Sequence, residues 1–233
     1  MKVIVTGGTG FLGAEILRQC VANPEITSII ALARRDLSQE WQAEKKITTL
    51  KIKDFGTYSP EDLKVLEGAE GCFWALGTTP DKARHMTNEE LKTVNEDWPT
   101  NAAKAWSQWP LPDGKVFRFV FTSGSLVPSP EDLDQKLWFG EYMRKGRAYT
   151  EQNLLRIAKE GKLDAYVAKP GFITTGTPLF GRLTFGKWWV SKEAMTAGYL
   201  DLLLHGNEKK VFWNDDLRHL GAEAQKKFAA KNR

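Results

Sequence analysis

Cysteine and histidine are scarce in this chain of 233 residues, which has two of the first and three of the second. Cys20 and Cys72 fall in a predicted helix and a predicted buried strand, without the paired spacing of a disulfide framework. They read as the reduced thiols of a cytoplasmic protein. His85, His205 and His219 lack metal-ligand spacing, so no metal site is expected. No apolar run approaches the length of a membrane span, and with the first strand beginning at residue 2 no signal peptide is expected. Internal repeats, low-complexity tracts and linkers are missing too, so the expectation is one domain over residues 1–233. Charge of one sign is also in short supply. The net charge of +4 is dispersed, and the basic end KKFAAKNR reads as a solvated helix terminus. Neither nucleic acid nor a membrane is expected as a partner.

What is present is an ordinary globular composition, 42% hydrophobic and 27% charged, in a chain long enough to bury a sizeable core. Its most informative stretch is the opening, KVIVTGGTGFLG. The apolar run Val3-Ile4-Val5 meets a glycine cluster and then an amphipathic segment from Phe11 to Val21, the pattern of strand, tight turn and helix. Gly7, Gly10 and Gly13 are spaced G-x-x-G-x-x-G. The first two allow a sharp turn and close approach to a pyrophosphate. The third lets helix and strand pack closely, with the helix N-terminus aimed at the phosphate charge. Thr6, Gly7, Gly8, Thr9, Gly10, Phe11, Leu12 and Gly13 are therefore candidate cofactor-binding residues. A glycine-rich turn without a ligand is the plainer alternative.

Further strands are expected at Ile26–Ala33, Ile47–Ile52, Gly71–Gly77, Val116–Ser123 and Leu163–Gly171. Between them a short helix starts at Ser59-Pro60, a segment helical in period runs from Asn88 to Trp109, and a long helix covers Phe139 to Lys159. Pro99 is expected to break the second of these, with Asp97 as a cap. Strand and helix alternating at this spacing mean an α/β fold with a doubly wound parallel sheet. Its ligand lies beyond the carboxyl ends of the strands, where Gly7, Gly77, Ser123 and Pro170 fall. Residues 173–233 are expected to supply most of a small C-terminal substrate lobe. It is expected to have helices near Ser191–Leu204 and after Leu220, with Phe180, Phe185, Trp188 and Trp189 placed either to cover the cleft over a partly apolar or aromatic ligand or to pack in the core.

The second strand ends in Ala-Arg-Arg, where an acid would hold the ribose 2′-hydroxyl of NAD. Arg34, with Arg35 next, suits a 2′-phosphate instead, so the expected cofactor is NADP(H). A pair of surface arginines is the alternative, and Asp36 comes late for the usual acid. Asp54, after the third strand, is placed for the adenine amino group or for a solvated loop. Leu76, Gly77, Thr78 and Thr79 bring backbone and hydroxyls toward ribose and phosphates, and Asn95 is a candidate for orienting water or backbone.

TGGTGFLG, ALGTTPDKA, FTSGS, KGRAYTEQNLL and AKPGFI, in that order, resemble the short-chain dehydrogenase/reductase superfamily. Within it they are most similar to the atypical group of Tat-interactive oxidoreductase-like proteins, which carry a like L-G-T-T-x-x-K-A stretch. The resemblance covers about residues 1–175 and thins beyond them. It implies a Rossmann fold binding NADPH, with Ser, Tyr and Lys at the active centre. In such a centre a lysine ammonium draws down a tyrosine hydroxyl whose ordinary pKa is about 10. The phenol then exchanges a proton with the substrate oxygen while hydride moves.

The superfamily spaces that pair Tyr-x-x-x-Lys, and this chain departs from it. Four residues before Lys145 stands Glu141, whereas Tyr142 lies three before and Tyr149 four after. Both spacings share a helix face, and Tyr142 is on the N-terminal side that the pattern requires. Tyr142 and Lys145 are therefore the candidate pair, with Lys145 also a ribose ligand. Ser123 and Ser125 are both candidates for the catalytic hydroxyl. Pro170, Gly171 and Ile173 resemble the element that contacts the nicotinamide carboxamide.

The readings that follow are three. One is an NADPH-dependent reductase of a small carbonyl compound. The second is a nucleotide-binding or protein-binding module without turnover. The third is an epimerase, dehydratase or cyclase on the same fold. Superfamily members often pair through the helices carrying the tyrosine and its neighbour, so the resemblance also admits a homodimer.

Overall fold

The computed structural model describes residues 1–111, 114–161, 163–176 and 187–231. The chain opens with strand β1 (Lys2–Thr6), helix α1 (Phe11–Ala22), strand β2 (Ser28–Ala33), a short α2 (Gln39–Gln42) and strand β3 (Ile47–Lys51). Helix α3 (Pro60–Leu66) and strand β4 (Gly71–Trp74) follow, then α4 (Pro80–Ala83), α5 (Asn88–Lys92), α6 (Trp98–Trp106) and strand β5 (Phe117–Thr122). The second half contains α7 (Glu141–Lys159), β6 (Leu163–Lys169), β7 (Phe172–Thr174), β8 (Trp189–Ser191), α8 (Lys192–His205), β9 (Val211–Trp213) and α9 (Asn214–Lys231).

Among the described residues seven parallel strands make one sheet in the order β3-β2-β1-β4-β5-β6-β9. β1 is an interior strand, and Val3 to Thr6 are buried. Val3 and Val5 face a core shared with α1 and α8, whereas Ile4 faces one shared with α6 and α7. The second core is aromatic: Trp74 lies 5.7 Å from Phe119 and 6.1 Å from Trp106, ring centre to ring centre. β2 and β4 flank β1 and the chain turns in opposite directions from them, so the crevice opens beyond their carboxyl ends. β7 and β8 form a separate two-stranded parallel ribbon.

Four expectations need correction. β9 is a seventh strand, paired with β6 at Val167↔Val211, and the last helix begins directly after it at Asn214, well before Leu220. Pro99 does not break its helix. Thr93–Asp97 widen into a π turn, in which the Trp98 N–H bonds Thr93 O. Pro99 offers no N–H to the Asn95 carbonyl, and that oxygen accepts from Thr150 Oγ1 of α7 at 2.8 Å. Asp97 has helical backbone angles and makes no capping bond, and its carboxylate pairs with Lys92 instead.

Candidate functional site

The turn after β1 is crowded in the way that makes glycine necessary. Gly7 has φ +74°, and a Cβ added there would stand 2.7 Å from Ala75 O. A Cβ on Gly13 would lie 2.0 Å from Gly7 O, so no side chain fits where α1 crosses the turn. The Gly10 N–H donates to Gly7 O at 2.8 Å, and no side chain caps α1. The first-turn N–H groups are thus left for a ligand. Thr6 is buried, and its Oγ1 accepts from the Leu76 N–H at 3.2 Å, tying the end of β1 to the segment after β4. Gly8 packs on Leu17. Thr9 and Phe11 are exposed at the surface, with Lys192 Nζ 4.9 Å from the Phe11 ring.

A cleft of about 540 Å³ begins at Gly10–Gly13 and runs past the carboxyl ends of β4, β5 and β6. Leu76, Gly77, Thr78 and Thr79 line it. Thr78 is held from behind by Asn95, whose Nδ2 donates to Thr78 Oγ1 at 2.9 Å and to Leu91 O at 2.8 Å. Thr79 Oγ1 caps α4 through the Lys82 N–H.

Arg34 and Arg35 are exposed just beyond β2, outside the lining of this cleft. Among the described residues no carboxylate pairs with either, whereas Asp36 is engaged by Lys51 at 3.2 Å. Asp54 accepts from the Gly56 N–H at 2.8 Å and from Thr57 Oγ1 at 3.0 Å, closing its own turn.

The expected catalytic pair is not assembled at the cleft. On α7, Met143, Arg144 and Arg147 line it, while Tyr142, Lys145 and Tyr149 do not. At about 100° per residue, positions 143, 147 and 151 stack on the inward face, and 142, 145 and 149 fall on the other side. Lys145 Nζ donates to Glu141 Oε1 at 2.8 Å, and the Tyr142 side chain is 55% exposed. Tyr142 and Lys145 are three residues apart, a spacing that leaves open which face of the helix meets the cleft.

The inward face carries a buried charge network instead. Ser123, 4% exposed, donates its hydroxyl to the Glu151 carboxylate, which also receives Lys169 Nζ at 2.7 and 2.8 Å. Burial pushes the Glu151 carboxyl above its usual range, against the pull of Lys169, Ser123 and Arg147. Arg147 donates to Thr78 O at 2.6 Å. Its guanidinium lies between two glycines, since a Cβ on Gly77 would be 3.2 Å from one terminal nitrogen and a Cβ on Gly124 3.7 Å from the other. The readable signals were the i,i+4 spacing of Met143, Arg147 and Glu151, and a lysine closing the apolar strand LDAYVAK.

Ser125 also lines the cleft, but its hydroxyl donates to Lys169 O at 2.8 Å and its N–H to Pro170 O at 2.8 Å. Pro170, Gly171 and Ile173 line the same wall, and the Gly171 N–H is already bonded to Asn214 Oδ1 at 2.9 Å. Trp188 reaches the cleft and Trp189 does not, while Phe180 and Phe185 lie outside the described residues. Among the described residues no helix is long and apolar enough to cross a membrane.

No protein-family model matches the chain. It is 35% identical over 123 residues to the leucinostatins biosynthesis cluster protein T of Purpureocillium lilacinum, covering 53% of this chain and 42% of that one. The chain spans no more than about half the length of the curated relatives it matches. Among solved structures, the dTDP-glucose 4,6-dehydratase DesIV of Streptomyces venezuelae, with NAD bound, aligns at TM-score 0.69 and 16% identity. That alignment covers 98% of this chain and 81% of that one. Vestitone reductase of alfalfa, Medicago sativa, aligns at TM-score 0.66 and 18% identity, over 91% and 76%. These likenesses show the fold: the chain has the doubly wound Rossmann architecture of those structures.

Proposed function

We propose that the chain is an NADP(H)-dependent oxidoreductase acting on a small carbonyl or alcohol compound. The observation that carries this reading is the crowded glycine turn and uncapped α1 opening onto the cleft, with no carboxylate of the described residues paired to Arg34 or Arg35 beyond β2 while Lys51 engages Asp36. These residues fit a dinucleotide. The backbone N–H groups of residues 11–13 suit a pyrophosphate, and the two guanidinium groups suit a 2′-phosphate. When bound, the nicotinamide supplies or accepts the hydride.

The chain's own contribution is at Ser123. Its Oγ stands at the cleft wall with its proton directed to Glu151, so it can take a proton from a substrate hydroxyl and pass its own to the carboxylate. Reduction runs the same transfer backward. Lys169 keeps Glu151 oriented and offsets its charge.

Turnover of aldehydes and ketones with NADPH tests this reading, and Ser123→Ala should lower the rate about a hundredfold with NADPH affinity retained. The outward direction of Tyr142 and Lys145 favours a second reading, binding of NADPH without turnover. Tight NADPH binding with no oxidation across the panel would select it.

A further inference from the structure

We propose that Arg144 and Arg147 form an oxyanion subsite, so that the substrate carries a carboxylate or phosphate group on an apolar body. The proposal rests on reading the cleft as the substrate site, and it names the substrate class. Three cations, Lys82, Arg144 and Arg147, line the cleft, and among its described lining residues none is Asp or Glu. In a chain with 29 acidic residues that is a marked local imbalance.

Arg144 and Arg147 stand at i,i+3 on the inward face of α7. Arg144 Nε donates to Leu126 O at 2.6 Å and one terminal nitrogen to Phe139 O at 3.2 Å, with the guanidinium 4.6 Å from the Phe139 ring centre. Arg147 donates to Thr78 O. All three acceptors are neutral carbonyls, which aim a guanidinium without neutralising it. Five N–H donors per guanidinium leave three on Arg144 and four on Arg147 beyond these bonds.

Glu151, the acid whose charge reaches Arg147, already receives Lys169 and Ser123. Burial works against both cations. It holds Arg144 below its usual range and pushes Arg147 down to about 10, which the Glu151 charge opposes. An incoming oxyanion would relieve that cost, and forked guanidinium groups match its geometry. Around the pair the wall is apolar, with Leu126, Phe139, Met143 and Trp188. The subsite is on α7, whereas the turn suited to the cofactor pyrophosphate is at Gly10–Gly13.

The test is calorimetric titration of the full chain with 3-phenylpropionate, phenethyl phosphate and the neutral 3-phenylpropanamide. At least one anion should bind about tenfold or more tightly than the amide. Arg144→Met and Arg147→Met should each remove that preference, and Arg144→Lys should keep part of it. The tighter anion identifies the group. Equal binding of all three, no binding of either anion, or a preference that survives both methionine substitutions overturns the proposal. So does an Arg147→Met variant that loses NADPH affinity while keeping the anion preference, since the guanidinium would then belong to the cofactor. A separate NADPH titration of the unaltered chain keeps failure of the cofactor reading distinct from failure of the subsite.

Discussion

Gly13 shows how little room the turn after β1 has. Its missing side chain is filled by the Gly7 carbonyl, 2.0 Å from where a Cβ would sit. Gly13→Ala should force the turn and α1 apart, lowering stability by about 1–3 kcal/mol in urea denaturation and abolishing dinucleotide binding. Glu151 and Lys169 pose a different question, because a buried ion pair costs desolvation on both sides. Removing one partner leaves the other charged and alone, so Lys169→Met should destabilise by about 3–5 kcal/mol in the same measurement. Burial raises the Glu151 carboxyl above its ordinary 4.5. Between that value and the raised one, the native chain keeps a proton that the unfolded chain has released. Stability from this group is therefore full below 4.5 and lost as pH rises through that interval. Unfolding free energy measured across acid pH should show the decline in the unaltered chain and a flatter profile in Glu151→Gln. The glycines were legible in the sequence because spacing and context agree. The ion pair was not, because Glu151 and Lys169 are on different elements and only the packing of α7 on β6 brings them together.

Helix α7 is the element on which the site turns. Its existence and length follow from its sequence period, but its rotation about its own axis is set by what docks against it. Gly146 packs on Asn95, and Thr150, fully buried, donates to the Asn95 carbonyl beside Pro99. That contact fixes the rotation of α7, with Met143 and Arg147 at the cleft. Thr150→Val keeps the volume and removes the hydroxyl, leaving the Asn95 carbonyl without this donor. It should cost about 1–3 kcal/mol on chemical denaturation. Pro99 misled for a related reason. The sequence rule treats its missing N–H as a break, whereas the π turn and a neighbouring hydroxyl absorb it. β9 escaped notice because three residues, Val211–Trp213, carry too short an alternation to be read as a strand.

At the scale of the molecule, the doubly wound sheet was legible from its apolar runs, since strands buried on both faces must be nearly continuous in hydrophobic residues. So was the placement of the crevice, which the order of β2, β1 and β4 dictates. Residues 192–231 close one face of that sheet with α8 and α9, and Arg118 of β5 reaches across to Leu203 O at 2.8 Å and Leu204 O at 2.9 Å at the end of α8. On the reading proposed above, the glycine turn with Arg34 and Arg35 makes this a dinucleotide protein whose cofactor preference is decided at its surface.

A paired titration of the purified chain with NADPH and NADH, followed by cofactor fluorescence, tests that claim most directly. NADPH should bind at least about tenfold more tightly, a difference of about 1.4 kcal/mol, and Arg34→Ala with Arg35→Ala should erase it. Equal affinities would contradict the role given to the two arginines, and binding of neither nucleotide would contradict the dinucleotide site itself.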